Sequence, residues 1–201
     1  MNEDRTIEVV ANTLRDTRLV TTLARAFQDD PALVWILPDA RTRARVLPSF
    51  FDVMAEQSQR HGEILASDNR EAASLWYPPG KVRDGWFDSL RDNLRMLAVF
   101  KGALSRGLKV AEAMYARHPS PQPHWYLRYV GVSPDAQGKG WGGAIIRSGI
   151  ARAAEQGCGM LLETATESNV AIYTRLGFDI TEEWQVSGGG PKFWTMIHPA
   201  P

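Results

Sequence analysis

From Trp125 to Val132 the chain is dense in aromatic and β-branched residues, the composition of a strand. From about Trp141 to Gln156 it reads as a helix. Between the two, four glycines fall within six positions, at Gly138, Gly140, Gly142 and Gly143. At such a junction the first amides of the helix lack internal partners, and the helix dipole favours anions. Glycine leaves this backbone open to close approach, so a phosphate group is the ligand first implied.

The rest of the chain follows an α/β pattern with a mixed sheet. Thr6 to Ala11 is a first strand. Asp16 caps a helix carrying Leu19, Leu23 and Phe27. That helix ends at Asp29-Asp30-Pro31, because proline disfavours helix in the residue before it. Leu47, Phe50, Phe51 and Met54 mark a second helix. Gly62–Ala66 and Ala72–Tyr77 pair as a hairpin around Ser67-Asp68-Asn69, closed by Pro78-Pro79-Gly80. About Trp86 to Arg117 is helical, with a core stripe at Leu90, Leu94 and Leu97, another at Leu108, Ala111 and Tyr115, and a break marked by Gly102 and Gly107. Gly157-Cys158-Gly159 stops the helix after the glycine loop. Met160–Ala165 is then a strand and Glu167–Leu176 a short helix, and Phe178–Val186 and Lys192–Ile197 are the last strands, around Gly188–Pro191.

With 201 residues, 44% of them hydrophobic, the chain has enough material for one domain with a real core. Lys and Arg number 23, as do Asp and Glu, so the basic excess usual for a nucleic-acid face is missing. The single cysteine, Cys158, has no partner in the chain for a disulfide and reads as a structural thiol. No apolar run reaches membrane-spanning length, and the opening MNEDRTIEVV has no signal core. A cytoplasmic protein without nucleic-acid or membrane partners is expected, with its oligomeric state open.

Two common phosphate motifs fail on the glycine loop. Gly-Lys-Gly-Trp lacks the Lys-Ser/Thr pair of a P-loop. Gly138, Gly140 and Gly143 match the dinucleotide fingerprint by count, but no acidic ribose partner follows in the usual place. The pattern Gln137-x-x-Gly140-x-Gly142 fits better. It resembles the acetyl-CoA pyrophosphate loop of the GNAT acetyltransferases. A second segment, Asn169-x-x-x-Tyr173 leading into Gly177-Phe178, is similar to the last helix of that family and lies at the right separation. Gly131–Gly140, Leu162-Glu163-Thr164 and Tyr173–Phe178 are similar to its puromycin N-acetyltransferase-like branch, as is Phe27–Ala32.

The resemblance implies a mixed, mostly antiparallel sheet, splayed between its fourth and fifth strands and flanked by helices on both faces. It implies one domain over residues 1–201, with 1–120 forming the acceptor side and 121–201 the acetyl-CoA side. The pantetheine arm of acetyl-CoA would pair with main-chain groups of Val130 and Val132, like an added strand. Its pyrophosphate would rest on the segment Gln137, Gly138, Lys139, Gly140, Trp141, Gly142 and Gly143, with Lys139 as a mobile cation. Asn169 would bind the cofactor arm. Tyr173 matches the family's general acid, which protonates the departing thiolate. Many members carry a glutamate base on the fourth strand where this chain has Tyr126. His124, on the same strand face by alternation, and Glu163, at the end of the next strand, are the candidate bases; a neutral amine or a water chain is the alternative. Asp29 and Asp30 are acidic enough to draw an ammonium group, with Asp30 and Tyr126 as substrate residues and Trp35, Trp76, Tyr77, Trp86 and Phe87 as an aromatic lining. The expected reaction is acetylation of a small primary amine, an antibiotic or a metabolite, without a metal. Acetylation of a protein lysine or N-terminus, and an acyl-CoA sensor without turnover, remain the alternatives.

Overall fold

The computed structural model describes residues 6–10, 16–81, 90–118 and 124–201. Seven strands form one sheet: β1 (Ile7–Val9), β2 (Glu63–Ser67), β3 (Ala72–Tyr77), β4 (His124–Val132), β5 (Gly159–Thr164), β6 (Asp179–Gln185) and β7 (Lys192–His198). Their order is β1-β2-β3-β4-β5-β7-β6. Among the described pairs only β4 and β5 run parallel. The mixed, mostly antiparallel sheet read from the sequence is therefore present.

The helices divide between the two faces. On one lie α1 (Thr17–Ala26), α2 (Pro31–Ile36), α3 (Ala40–His61), α4 (Leu90–Phe100) and α5 (Leu104–Tyr115), with Leu23, Leu33, Phe51 and Val110 in a shared core. On the other lie α6 (Trp141–Glu155) and α7 (Glu167–Thr174), packed with Trp125, Leu127, Ile145, Met160 and Phe178. Asp16 caps α1 as its spacing predicts, accepting from the Leu19 amide at 3.1 Å. Cys158 is buried, and its thiol donates to the Gln156 carbonyl at 3.3 Å.

Several expectations are corrected. Asp30-Pro31 does follow the end of α1, but it also opens α2, because an Asp N-cap with proline in the first turn is a helix start. Leu90, Leu94 and Leu97 are exposed, not core. The face of α4 turned to the core instead carries Met96, Val99 and Phe100 together with charged groups. Asp92 is buried against Gln57 and Arg60, and Arg95 reaches Asp52 and Glu56. The break between α4 and α5 is a 3-10 turn at Lys101–Ala103, and Gly107 sits inside α5. Trp86, Phe87 and Ala11 lie outside the described residues.

One irregularity shapes the site. In the β3–β4 ladder Leu75 pairs with Tyr129 but Trp76 with Leu127, so Arg128 is an inserted residue. Such a bulge breaks the alternation of faces. Leu127 and Val130 both face the α6 layer, while Tyr129 packs in the opposite core. Arg128 is held by the Tyr77 hydroxyl at 2.9 Å and the Gln57 side-chain carbonyl at 3.4 Å.

Candidate active site

β4 and β5 pair from His124 and Gly159 to Leu127 and Leu162. Beyond that point β4 continues on β3 and β5 continues on β7, and no further β4–β5 pairing occurs among the described residues. The sheet is splayed there, and the β5-facing edge of β4 is left without a strand partner. A cavity of about 190 Å³ opens at the splay. Residues 126–130 of β4, 162–164 of β5 and the following Ala165 line it, Asn169 and Tyr173 come from α7, and Asp30 comes just before α2.

Tyr173 is buried, with its ring 5.9 Å from that of Phe178. Burial, and then the Asp30 carboxylate, raise its hydroxyl well above the ordinary phenol range. It therefore keeps its proton at neutral pH. Asp30 is fixed as the α2 cap, accepting from the Ala32 and Leu33 amides at 3.0 Å each. Burial pushes its carboxyl up, against the pull of those two amides.

The Glu163 side chain is fully buried, and His118 Nε2 lies 3.2 Å from its Oε1. The Tyr126 ring touches His118, with centroids 4.4 Å apart. Burial and the nearby Glu163 push the Tyr126 hydroxyl up, so it is a neutral group. Tyr126 and Glu163 line the cavity; His124, at the start of β4, does not. The bulge explains why the simple alternation of His124, Tyr126 and Arg128 does not describe this end of the strand.

Of the aromatic residues expected to line the pocket, Trp35 packs on the helical core and Trp76 in the core under α6. Tyr77 is buried with Tyr126 and Leu161 and anchors Arg128. The aromatic side chains at the cavity are instead Phe27, Phe50, Phe100, Tyr126, Tyr129, Tyr173 and Phe193. Phe27, Phe50 and Phe51 meet Tyr129 edge-on at 5.3–5.8 Å.

Below the splay, the glycine loop ends at the N-terminus of α6. Gly138 has φ +75° and Gly140 φ +83°, left-handed values that a side chain would strain. Gly140 is the N-cap, and no side chain caps the helix. The first-turn amides are thus left for an outside acceptor. Gln137 donates to the Val132 carbonyl at 3.3 Å and ties the loop to the strand. Lys139 is exposed. Trp141 packs against the α6-side core. A Cβ on Gly143 would lie 3.2 Å from Arg147 Nη1, so this guanidinium folds back over the first turn. Arg147 and His118 were not found from the sequence. Arg147 could have been, as a cation one helical turn after Gly143. His118 carries no local signal, because its partner is on a distant strand.

Residues 62–178 match the Acetyltransferase (GNAT) family. The chain belongs to the GNAT acetyltransferases. An uncharacterized N-acetyltransferase of Schizosaccharomyces pombe is 26% identical over 171 residues, which is 80% of this chain and 69% of that one. A Corynebacterium glutamicum structure of "histone acetyltransferase HPA2 and related acetyltransferase" shares 26% identity, covers 98% of this chain and 97% of its own, and superposes with a TM-score of 0.72. The polyamine N-acetyltransferase of Drosophila melanogaster shares the fold, with a TM-score of 0.54 at 15% identity over 96% of this chain and 99% of its own. This GNAT protein is an acetyltransferase, and its fold uses acetyl-CoA. The uncapped α6 terminus, the left-handed glycines and the open edge of β4 fit such a ligand. No described helix is long and apolar enough to cross a membrane.

Proposed function

We propose that the protein acetylates a small primary amine in a ternary complex with acetyl-CoA. The observation that carries this reading is the single cavity at the splay. It joins the open edge of β4 near Val130, the protonated Tyr173 hydroxyl and the Asp30 and Glu163 carboxylates. Residues 121–201 bind acetyl-CoA, and residues 1–120 form most of the acceptor wall.

Bound acetyl-CoA supplies an activated acetyl thioester. Val130 and Val132 offer main-chain groups to its pantetheine arm. The amides from Gln137 through Gly143, with Lys139, Gly140, Trp141 and Gly142 between them, hold the pyrophosphate, and Asn169 steadies the arm. The Tyr173 hydroxyl donates its proton to the departing sulfur. Asp30 attracts the ammonium form of the acceptor, and Tyr126 forms part of the floor beneath it. Glu163 takes the proton that the amine must lose; His124, away from the cavity, is the weaker candidate.

A partly enclosed cavity of about 190 Å³ suits a small molecule better than a folded protein segment. The Drosophila relative, named as forming N-acetylagmatine, supports an amine of that kind. The sequence likeness to the puromycin N-acetyltransferase-like branch supports an amine-bearing antibiotic or metabolite.

Thermal unfolding with acetyl-CoA, CoA and NADH tests the cofactor. The two CoA species should raise the melting temperature, because they bind only the folded state, and NADH should not. Thiol release is then followed with agmatine, tryptamine, puromycin and a histone tail peptide. Release with a small amine supports the proposal. Release only with the peptide makes this a protein acetyltransferase, and stabilisation without any release makes it an acyl-CoA sensor.

A further inference from the structure

Glu163 is a carboxylate enclosed between His118 and Tyr126. Its side chain is fully buried, and neither oxygen makes a well-aligned hydrogen bond. A carboxylate in such a place is costly unless a positive group compensates it or function requires it. His118, just after α5, meets it from the acceptor side. Its own side chain is 14% exposed, so it sits between the buried carboxylate and solvent.

We infer that His118 and Glu163 form one proton-accepting unit, in which Glu163 takes the proton of the acceptor amine and His118 orients that carboxylate. The inference rests on the acetyl-transfer reading above and adds a residue to it. Glu163 Oε1 is the atom that faces His118, at 3.2 Å, and Glu163 belongs to the cavity wall. The step balances simply. The ammonium N–H bond breaks, a proton joins the Glu163 carboxylate, and the nitrogen lone pair is freed to attack. His118 Nε2 closes on Oε1 when the substrate is bound, so His118 is a positioning residue that does not touch the substrate. The loose alignment is what a site awaiting its substrate commonly displays.

Among the described residues, the other nearby groups do not fill this role. On β4, Tyr126 packs against His118 with its neutral hydroxyl beside Glu163, and Arg128 is engaged with Tyr77 and Gln57. His124, on the same strand, lies outside the cavity. On β7 the register partner of Glu163 is the uncharged Thr195. From α5 the cavity receives Met114, and beyond it Arg117 turns away to Glu182 and Trp184. Asp30 reaches the cavity from the α2 side, where its charge bears on Tyr173.

The test uses the full chain, with acetyl-CoA and the amines agmatine and tryptamine as probes, and compares Glu163→Gln, His118→Gln and the double variant. Glu163→Gln should lower kcat/KM by about 10²–10⁴-fold at all pH values, the usual worth of a general base. His118→Gln removes the imidazole that orients the carboxylate. It should lower kcat by about tenfold or more with KM little changed. The double variant should lose no more than Glu163→Gln alone, because the two act as a unit. An unchanged kcat in His118→Gln, or full activity in Glu163→Gln, would overturn the inference. Melting temperatures of the same set provide a measurement independent of turnover. Neutralising Glu163 should restore stability lost on removing the His118 imidazole, and simply additive losses would overturn the pairing. If the wild-type protein is stabilised by acetyl-CoA but acetylates neither amine, the acceptor reading fails first, and the proton role falls with it.

Discussion

Gly149 lies flat against the indole of Trp76, and a Cβ there would overlap Cζ2 and Cη2 of that ring. Trp76 is fully buried and its Nε1 donates to Ser74 Oγ at 2.7 Å, so it has little room to yield. The contact seats α6 on β3, next to the strand that carries the splay. Gly149→Ala should therefore destabilise the fold by about 1–3 kcal/mol, as overpacking does. Thermal unfolding checks this: a drop of roughly 3–10 °C is expected for a chain of this size. An unchanged melting temperature would mean that the helix can lift away freely.

Tyr173→Phe keeps the ring against Phe178 and deletes only the hydroxyl. It should lower kcat by about 10²-fold or more, the range for loss of a general acid. The stabilisation by acetyl-CoA should persist. Burial and Asp30 keep the proton on this group, so the wild-type rate should show no alkaline loss from it below about pH 10. Equal rates for Tyr173→Phe and wild type would assign the acid role elsewhere.

The anion site can be probed from two sides. Gly140→Ala forces a side chain into φ +83° and should cost about 1 kcal/mol of stability, with weaker acetyl-CoA binding. Arg147→Glu reverses a charge over the first turn of α6 and should weaken binding by about tenfold at low salt and less at high salt. Titration calorimetry at two ionic strengths reads both. Salt-independent binding in Arg147→Glu would remove this arginine from the site.

Asp30→Asn separates charge from capping, since asparagine also caps helices. The folded protein holds the Asp30 proton more tightly than the unfolded chain does. The stability linked to this group is thus present at low pH and lost as pH rises through the raised folded value. Asp30→Asn should match wild type below about pH 4 and equal or exceed its stability at pH 7. If Asp30 draws the ammonium, KM for agmatine should rise about tenfold with kcat little changed. A variant less stable at pH 7 than at pH 4, relative to wild type, would reverse the sign assigned here.

Much of the fold is legible in local patterns. Asp16 marks the start of α1, the Ser67-Asp68-Asn69 turn joins β2 to β3, and the glycines of 138–143 mark the strand-to-helix junction. The short helix α2 is signalled too, by Asp30 before Pro31, but the same residues also end the preceding segment, so the local signal is ambiguous. The stripe of Leu90, Leu94 and Leu97 misled because apolar spacing does not say which face is turned inward. In α4 the inward face carries Asp92 and Arg95, which meet charges on α3, beside Met96, Val99 and Phe100. The bulge at Arg128 had no mark in the strand pattern either, since it is a mismatch between two strands.

By itself, then, the order of residues determined most of the elements, their sequence along the chain, and the residue types at the glycine loop and at Asn169 and Tyr173. These depend on neighbours a few positions apart, through caps, turns and periodicity. The tertiary structure alone decided that Asp30 lies near enough to Tyr173 to raise its hydroxyl, that Arg147 folds over Gly143, and that His118 meets Glu163. Each of the pairings with Tyr173 and Glu163 joins residues from distant parts of the chain. They form only because the helices packed on one face of the sheet reach the point where β4 and β5 separate.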